Sequence, residues 1–152
     1  MRIVVIMDPP STVQVDADTS FALMEEAESR GHRVDHTGIA DLFFHRGRLS
    51  ARVRQAHMSR SHRPDEAPIT LAPSEDVFLD EVDAILMRKD PPFESNYLWA
   101  TQLLEHVRGK TLLINDPRAL RDANEKLYAL QFLSSMPDTL VSNDKRRIKA
   151  FL

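Results

Sequence analysis

Residues 87–93 place two cations, a carboxylate and two prolines directly after an apolar run. That run, residues 82–86, is typical of a buried strand, so we expect Arg88, Lys89 and Asp90 to follow its carboxyl end. Arginine binds a carboxylate or phosphate through two hydrogen bonds, and lysine adds a point charge. In open α/β sheets, ligands bind at the carboxyl ends of the strands. The segment therefore predicts a binding site for a small anion.

Two other predicted strands also end in polar residues: Asp8 after residues 3–7, and Asn115 with Asp116 after residues 111–114. If the strands are parallel neighbours, their carboxyl ends share one edge of the sheet, and we expect the polar clusters to converge there. The alternative is that the two cations only form surface ion pairs with nearby acids, which contribute little. The residue pattern leaves both interpretations open.

A sheet with flanking helices is needed to position these clusters, and the sequence predicts one. The order of strand 3–7, a helix from Ser20, and strand 34–37 is typical of a βαβ unit and indicates an α/β fold with a parallel sheet. Further helices are predicted from Tyr97 and from Ala119. Near the C-terminus, the sequence predicts a strand at residues 139–141 and a helix at residues 144–152.

Between the second and third predicted strands, the pattern changes. Residues 42–44 and 49–54 flank Arg46 and Gly47 and predict a hairpin at the sheet edge. Residues 55–73 are polar and contain three prolines, so we expect a long irregular loop there.

The predicted helix after the first strand has Ser20 or Thr19 as its N-cap and Gly31 just past its end. A helix N-terminus attracts anions through its free amide groups and its dipole. Ordinary capping explains the same residues, so both functions stay open for this segment.

Composition excludes several classes of protein and site. The net charge of −3 gives no reason to expect nucleic acid as a partner, although residues 42–64 are rich in arginine and histidine and contain no acid. A solvated basic face is the alternative for that segment. No apolar run is long enough to span a membrane. The absence of cysteine fits a cytoplasmic protein, and no histidine spacing indicates a metal site.

Four stretches resemble the N-terminal part of bacterial glutathione synthetase, an ATP-grasp ligase. They occur in the family's order: residues 5–9, 20–22, 85–93 and 120–127. The resemblance implies a Rossmann-like, pre-ATP-grasp domain at residues 1–122, with a parallel sheet, flanking helices and an edge hairpin. It implies that residues 123–152 are the first elements of a truncated ATP-grasp domain.

The resemblance also implies a reaction, in which ATP and Mg²⁺ support the ligation of γ-glutamylcysteine to glycine through an acyl phosphate. The residues that match the family's substrate side are Ser20, Phe21, Arg88, Lys89 and Asp90, and Lys126 matches a lysine that reaches the phosphates of ATP. No catalytic residue and no Mg²⁺ ligand is carried over. The implied protein is a cytoplasmic homotetramer that binds neither nucleic acid nor a membrane.

Because the family's metal ligands lie beyond Leu152, we expect the isolated chain to be inactive alone. Two other functions stay open at this point. One is a non-catalytic binding or assembly module, and the other is an ATP-grasp ligase that joins different amino acids.

Overall fold

A computed structural model describes residues 1–60, 67–90, 92–123 and 127–152. Within these ranges, one sheet contains the strands β1 (Arg2–Ile6), β2 (Arg33–Thr37), β3 (Leu42–His45), β4 (Arg48–Met58), β5 (Ile69–Phe78), β6 (Ala84–Met87) and β7 (Leu112–Ile114). The α-helices are α1 (Thr19–Ser29), α2 (Ser95–Leu104), α3 (Pro117–Asp122) and α4 (Lys145–Phe151). The fold is therefore α/β, as predicted.

The sheet is mixed and not purely parallel. Its order is β3-β4-β2-β1-β6-β7, and β5 pairs with β4. The four strands β2, β1, β6 and β7 pair in parallel, whereas β4 is antiparallel to β2, β3 and β5. The antiparallel half consists of strands that follow one another along the chain, and such strands can be joined by short connections. The parallel half requires the longer connections that contain α1 and α2.

The central strands are buried because helices cover both faces. Val4, Val5 and Ile6 of β1 have no exposed side-chain surface, which explains the continuous apolar run. Phe21 of α1 packs with Val5 on one face, and Leu104 of α2 belongs to the core on the opposite face. After β1 the chain continues to α1 on one face of the sheet, and after β6 it continues to α2 on the opposite face. The crevice between the carboxyl ends of β1 and β6 is therefore the expected place for a ligand.

The hairpin prediction is confirmed, and the prediction of a long loop over residues 55–73 is wrong. β3 and β4 form the hairpin, and Gly47 in its turn has a φ of 81°. β4 continues to Met58, and β5 begins at Ile69, while residues 61–66 lie outside the described ranges. The polar composition was misleading because β5 is paired only with β4 in the described sheet, and such a strand tolerates Pro73.

The first helix begins and ends as the sequence indicates, but its cap differs. Asp18 is the N-cap, because its side chain accepts hydrogen bonds from the amides of Ser20 at 2.7 Å and Phe21 at 3.3 Å. The prediction that Thr19 or Ser20 caps the helix is therefore wrong. Gly31 follows the helix with a φ of 76°, a conformation that glycine adopts without strain.

Residues Asp122–Leu152 form a second compact unit, separate from Met1–Arg121. In the described part of this unit, a 3-10 helix covers Tyr128–Ser135, and Asp144 caps α4. The predicted helix at the C-terminus is confirmed, and the predicted strand at residues 139–141 is wrong, because these residues pair with no described strand. Among the described residues, no helix is both long enough and apolar enough to cross a bilayer.

Candidate functional site

The site is built at the carboxyl ends of β1 and β6, where the ledge (Arg88, Lys89 and Asp90) meets Asp8. The amide of Arg88 donates to the carbonyl of Ile6 at 2.8 Å, which extends the parallel pairing past the end of β6. The Nζ of Lys89 lies 3.0 Å from Oδ1 of Asp8, and the amide of Asp90 donates to Oδ2 at 3.2 Å. The predicted convergence of Asp8 with the ledge is confirmed, because parallel neighbours end at the same edge.

Arg88 is held by hydroxyl groups. Its Nε donates to Oγ of Ser20 at 3.2 Å, and its Nη2 donates to Oγ1 of Thr19 at 2.6 Å. These hydroxyls are available because Asp18, and not Ser20 or Thr19, caps α1. No carboxylate among the described residues forms an ion pair with Arg88, so no described acid neutralises its positive charge.

Lys89, unlike Arg88, has an acidic partner. Its ammonium forms an ion pair with Asp8 and also donates to the carbonyl of Asp90 at 2.6 Å. The interpretation of the two cations as partners of nearby acids therefore holds for Lys89 and fails for Arg88. The two neighbours differ because Lys89 reaches the carboxylate that follows β1, whereas Arg88 reaches hydroxyl groups at the start of α1.

Two hollows open beside Asp8. The first, which we call the α1 hollow, has a volume of about 360 Å³ and is lined by residues that include Asp18, Thr19, Ser20, Arg88 and Asp90. The second, the β2 hollow, has a volume of about 470 Å³, and its lining includes Asp8, His36, Arg52, Arg54 and Lys89. Both volumes lie in the range of small-molecule sites.

Two of the predicted site residues do not contribute their side chains to either hollow. The ring of Phe21 is fully buried in the core, so only its amide, bonded to Asp18, borders the site. Asp116 pairs with Arg108 and accepts hydrogen bonds from the backbone at the start of α3, so it does not join the ledge. Lys126 lies outside the described residues.

His36 is a site residue that the sequence analysis missed. Its Nε2 donates to the backbone carbonyl of Asp8 at 3.2 Å, and burial lowers the pKa of His36 below its ordinary value, so the ring is neutral at pH 7. The sequence could have identified His36 as a candidate, because it lies near the carboxyl end of β2, the parallel neighbour of β1. A strand residue near the edge that holds Asp8 is a candidate on position alone.

Three arginines in the described part of the basic segment pair with acids from other elements. Arg48 forms an ion pair with Asp80, Arg52 with Asp76, and Arg60 with Glu25: these contacts lie at the surface. This arrangement favours a solvated, ion-paired face over a nucleic-acid interface. Within the described ranges, no three side chains of histidine, aspartate or glutamate converge closely enough to hold a metal ion.

Comparison with known proteins shows which family this chain resembles. The family model described as the prokaryotic glutathione synthetase N-terminal domain matches residues 1–121. Similar curated proteins are glutathione synthetases of Citrobacter rodentium, 38% identical over 152 residues, and of Photorhabdus laumondii, 36% identical over 156 residues. Each alignment covers 99% of this chain and 47% of the relative. The chain thus spans about half the length of the curated relatives it matches.

Proposed function

The chain belongs to the family of the prokaryotic glutathione synthetase N-terminal domain, and from this premise we propose that it supplies the peptide-binding side of a glutathione synthetase. The resemblance to bacterial glutathione synthetase, which rests on residues 5–9, 20–22, 85–93 and 120–127, is thereby confirmed at the level of the family. In the proposed reaction of the whole enzyme, ATP phosphorylates the C-terminal carboxylate of γ-glutamylcysteine. The amine of glycine then displaces phosphate to form the new amide.

The observation that carries the proposal is the uncompensated charge of Arg88 in the α1 hollow. Two hydroxyl groups hold the guanidinium in place, and no acid among the described residues neutralises it, so it is positioned to bind a carboxylate of the dipeptide. Asp90 lines the same hollow, and its carboxylate can accept hydrogen bonds from the ammonium group of the γ-glutamyl residue. The hollow thus offers both charges that the amino-acid end of γ-glutamylcysteine requires.

Asp8 and Lys89 act as positioning residues in this proposal. Their ion pair and the hydrogen bond from Asp90 to Asp8 fix the backbone of the ledge against the end of β1. A fixed ledge reduces the entropy that is lost when a ligand binds. Ser20 contributes its hydroxyl, which accepts from Arg88.

The finer features implied by the family resemblance remain proposals. They are a Rossmann-like first domain at residues 1–122, the first elements of an ATP-grasp domain at residues 123–152, binding of ATP phosphate by Lys126, a homotetramer and a cytoplasmic location. Mg²⁺ would support phosphoryl transfer. The described residues provide no cluster suited to a metal ion, so we assign no step through Mg²⁺ to them.

Calorimetric titration of the full chain with γ-glutamylcysteine tests the peptide-binding role. We expect Arg88→Gln to weaken binding at least tenfold, because a charge-assisted pair with the carboxylate is lost. Asp90→Asn should weaken it less, because the amide oxygen can still accept a hydrogen bond from the ammonium group.

Arg30→Gln is the matched control, because Arg30 lies just past the other end of α1 and pairs with Glu26. This variant should bind as the unaltered chain does. Absence of binding to the unaltered chain, or equal affinities for Arg88→Gln and Arg30→Gln, would overturn the proposal.

A further inference from the structure

The β2 hollow contains a second cation whose side chain has no partner among the described residues. The guanidinium of Arg54 forms no hydrogen bond or ion pair with any other residue that the structure describes, although Arg54 lines this hollow. The two other cations of the lining are neutralised, Lys89 by Asp8 and Arg52 by Asp76. The charge of Arg54 is therefore available to an anion that enters the hollow.

The register of the sheet places Arg54 beside an uncharged histidine, His36. Arg54 of β4 lies directly opposite His36 of β2, so their side chains are on the same face of the sheet. His36 carries no charge at pH 7, because burial lowers its pKa by more than the hydrogen bond from its Nε2 to the carbonyl of Asp8 raises it. It therefore neither neutralises a bound anion nor competes with Arg54 for it.

The remaining lining contains one further acid, Asp41, which forms no ion pair with Arg54, and is otherwise largely apolar, so it suits more than a bare ion. Pro9, Pro10, Ile39, Ala40 and Leu71 contribute to the hollow, whose volume is about 470 Å³. Apolar surface removed from water contributes to affinity in proportion to its area. A ligand that matches this hollow has one anionic group and an aliphatic body.

We propose that the β2 hollow is a binding site for a small organic carboxylate with an aliphatic body, whose carboxylate contacts Arg54. The site is distinct from the α1 hollow, since the two hollows share no lining residue and their arginines belong to different elements. Arg54 comes from the antiparallel half of the sheet, whereas Arg88 follows the parallel strand β6. The proposal does not depend on the peptide-binding role of Arg88.

The test is a titration of the ¹⁵N-labelled full chain, followed by amide chemical shifts, with 4-methylpentanoate as the probe. We expect saturable shifts at residues of the hollow, among them Gly38, Ile39 and Ala40. The isosteric neutral probe 4-methylpentanamide should bind at least tenfold more weakly, because it cannot pair with a guanidinium. Inorganic phosphate should also bind more weakly, because it has no aliphatic body.

Variants assign the binding to one hollow. Arg54→Gln should weaken binding of 4-methylpentanoate about tenfold, whereas Arg30→Gln and Arg88→Gln should stay within twofold of the unaltered chain. Arg54 is exposed on its strand, so the substitution should leave the fold intact, which the unperturbed spectrum of the free variant verifies.

Three results would overturn the proposal. They are equal affinities for the acid and its amide, unchanged affinity of Arg54→Gln, and shifts that centre on Thr19 and Ser20 and disappear in Arg88→Gln. Tighter binding of phosphate than of 4-methylpentanoate would overturn the assignment to an aliphatic acid.

Discussion

The two edges of the parallel strands both carry arginine, but the arginines have different partners. At the amino edge, Arg2 and Arg33 both bond to Asp35, at 2.7 Å and 3.1 Å, and both also pair with Glu75. We call these four residues the amino-edge network. At the carboxyl edge, the guanidinium of Arg88 forms hydrogen bonds only with hydroxyl groups among the described residues.

This difference distinguishes charged residues that stabilise the fold, in the amino-edge network, from a charged residue that can bind a ligand, Arg88. In the amino-edge network two cations meet two carboxylates, and Asp35 has no exposed side-chain surface. A buried carboxylate requires such pairing, because an unpaired buried charge is costly. A cation near the surface with only neutral partners keeps its capacity to bind an external anion. The following predictions test this contrast.

The largest expected effect is that of Asp35→Ala on stability. Removing the buried carboxylate takes away the hydrogen bonds of both arginines to Asp35 and leaves them with Glu75 alone, so the free energy of unfolding should fall by about 2–3 kcal/mol. Urea unfolding at pH 7 measures the change. Asp16→Ala, at an exposed position, is the control and should change the free energy by less than about 0.5 kcal/mol. Equal effects of the two substitutions would contradict the structural role of the network.

A smaller effect is expected from Asp8→Ala. The lost groups are a partly exposed ion pair with Lys89 and a hydrogen bond from the amide of Asp90, so we expect a loss of about 1 kcal/mol. Hydrogen exchange of the Asp90 amide should become faster in the variant. An unchanged exchange rate would show that Asp8 does not hold the ledge.

The stabilisation that the amino-edge network provides should depend on pH. The hydrogen bond from Arg2, together with the charges of Arg2 and Arg33, lowers the pKa of Glu75 below its ordinary value of 4.5. The resulting stabilisation is present above about pH 4.5 and is lost as the pH falls through the lowered pKa of the folded state. The stability difference between the unaltered chain and Glu75→Gln should therefore shrink below that pH. Parallel stability curves down to pH 3 would contradict this role of Glu75.

The smallest expected effect on stability is that of Arg88→Gln. Because no described carboxylate depends on Arg88 for neutralisation, the free energy of unfolding should change by less than about 0.5 kcal/mol. Urea unfolding of this variant beside Asp35→Ala gives the comparison directly. A loss above about 1.5 kcal/mol would make Arg88 a structural residue and remove the distinction between the two edges.

The parts of the fold that could be predicted are those where local composition and burial agree. β1 and β6 were identifiable because both faces are covered and their residues are continuously apolar. The extension of β4 to Met58 and the strand β5 were not, because much of β5 is exposed and its composition resembles a loop. Their pairing depends on residues that are distant in the chain.

By itself, the sequence determined that the cations of residues 87–93 follow a buried strand, because a continuous apolar run and prolines are local signals. Only the tertiary structure decided that Lys89 pairs with Asp8 while Arg88 does not pair with a described acid. The physical reason is that each side chain meets groups from a different part of the chain, Lys89 the acid after β1 and Arg88 the start of α1, and folding alone brings these parts together.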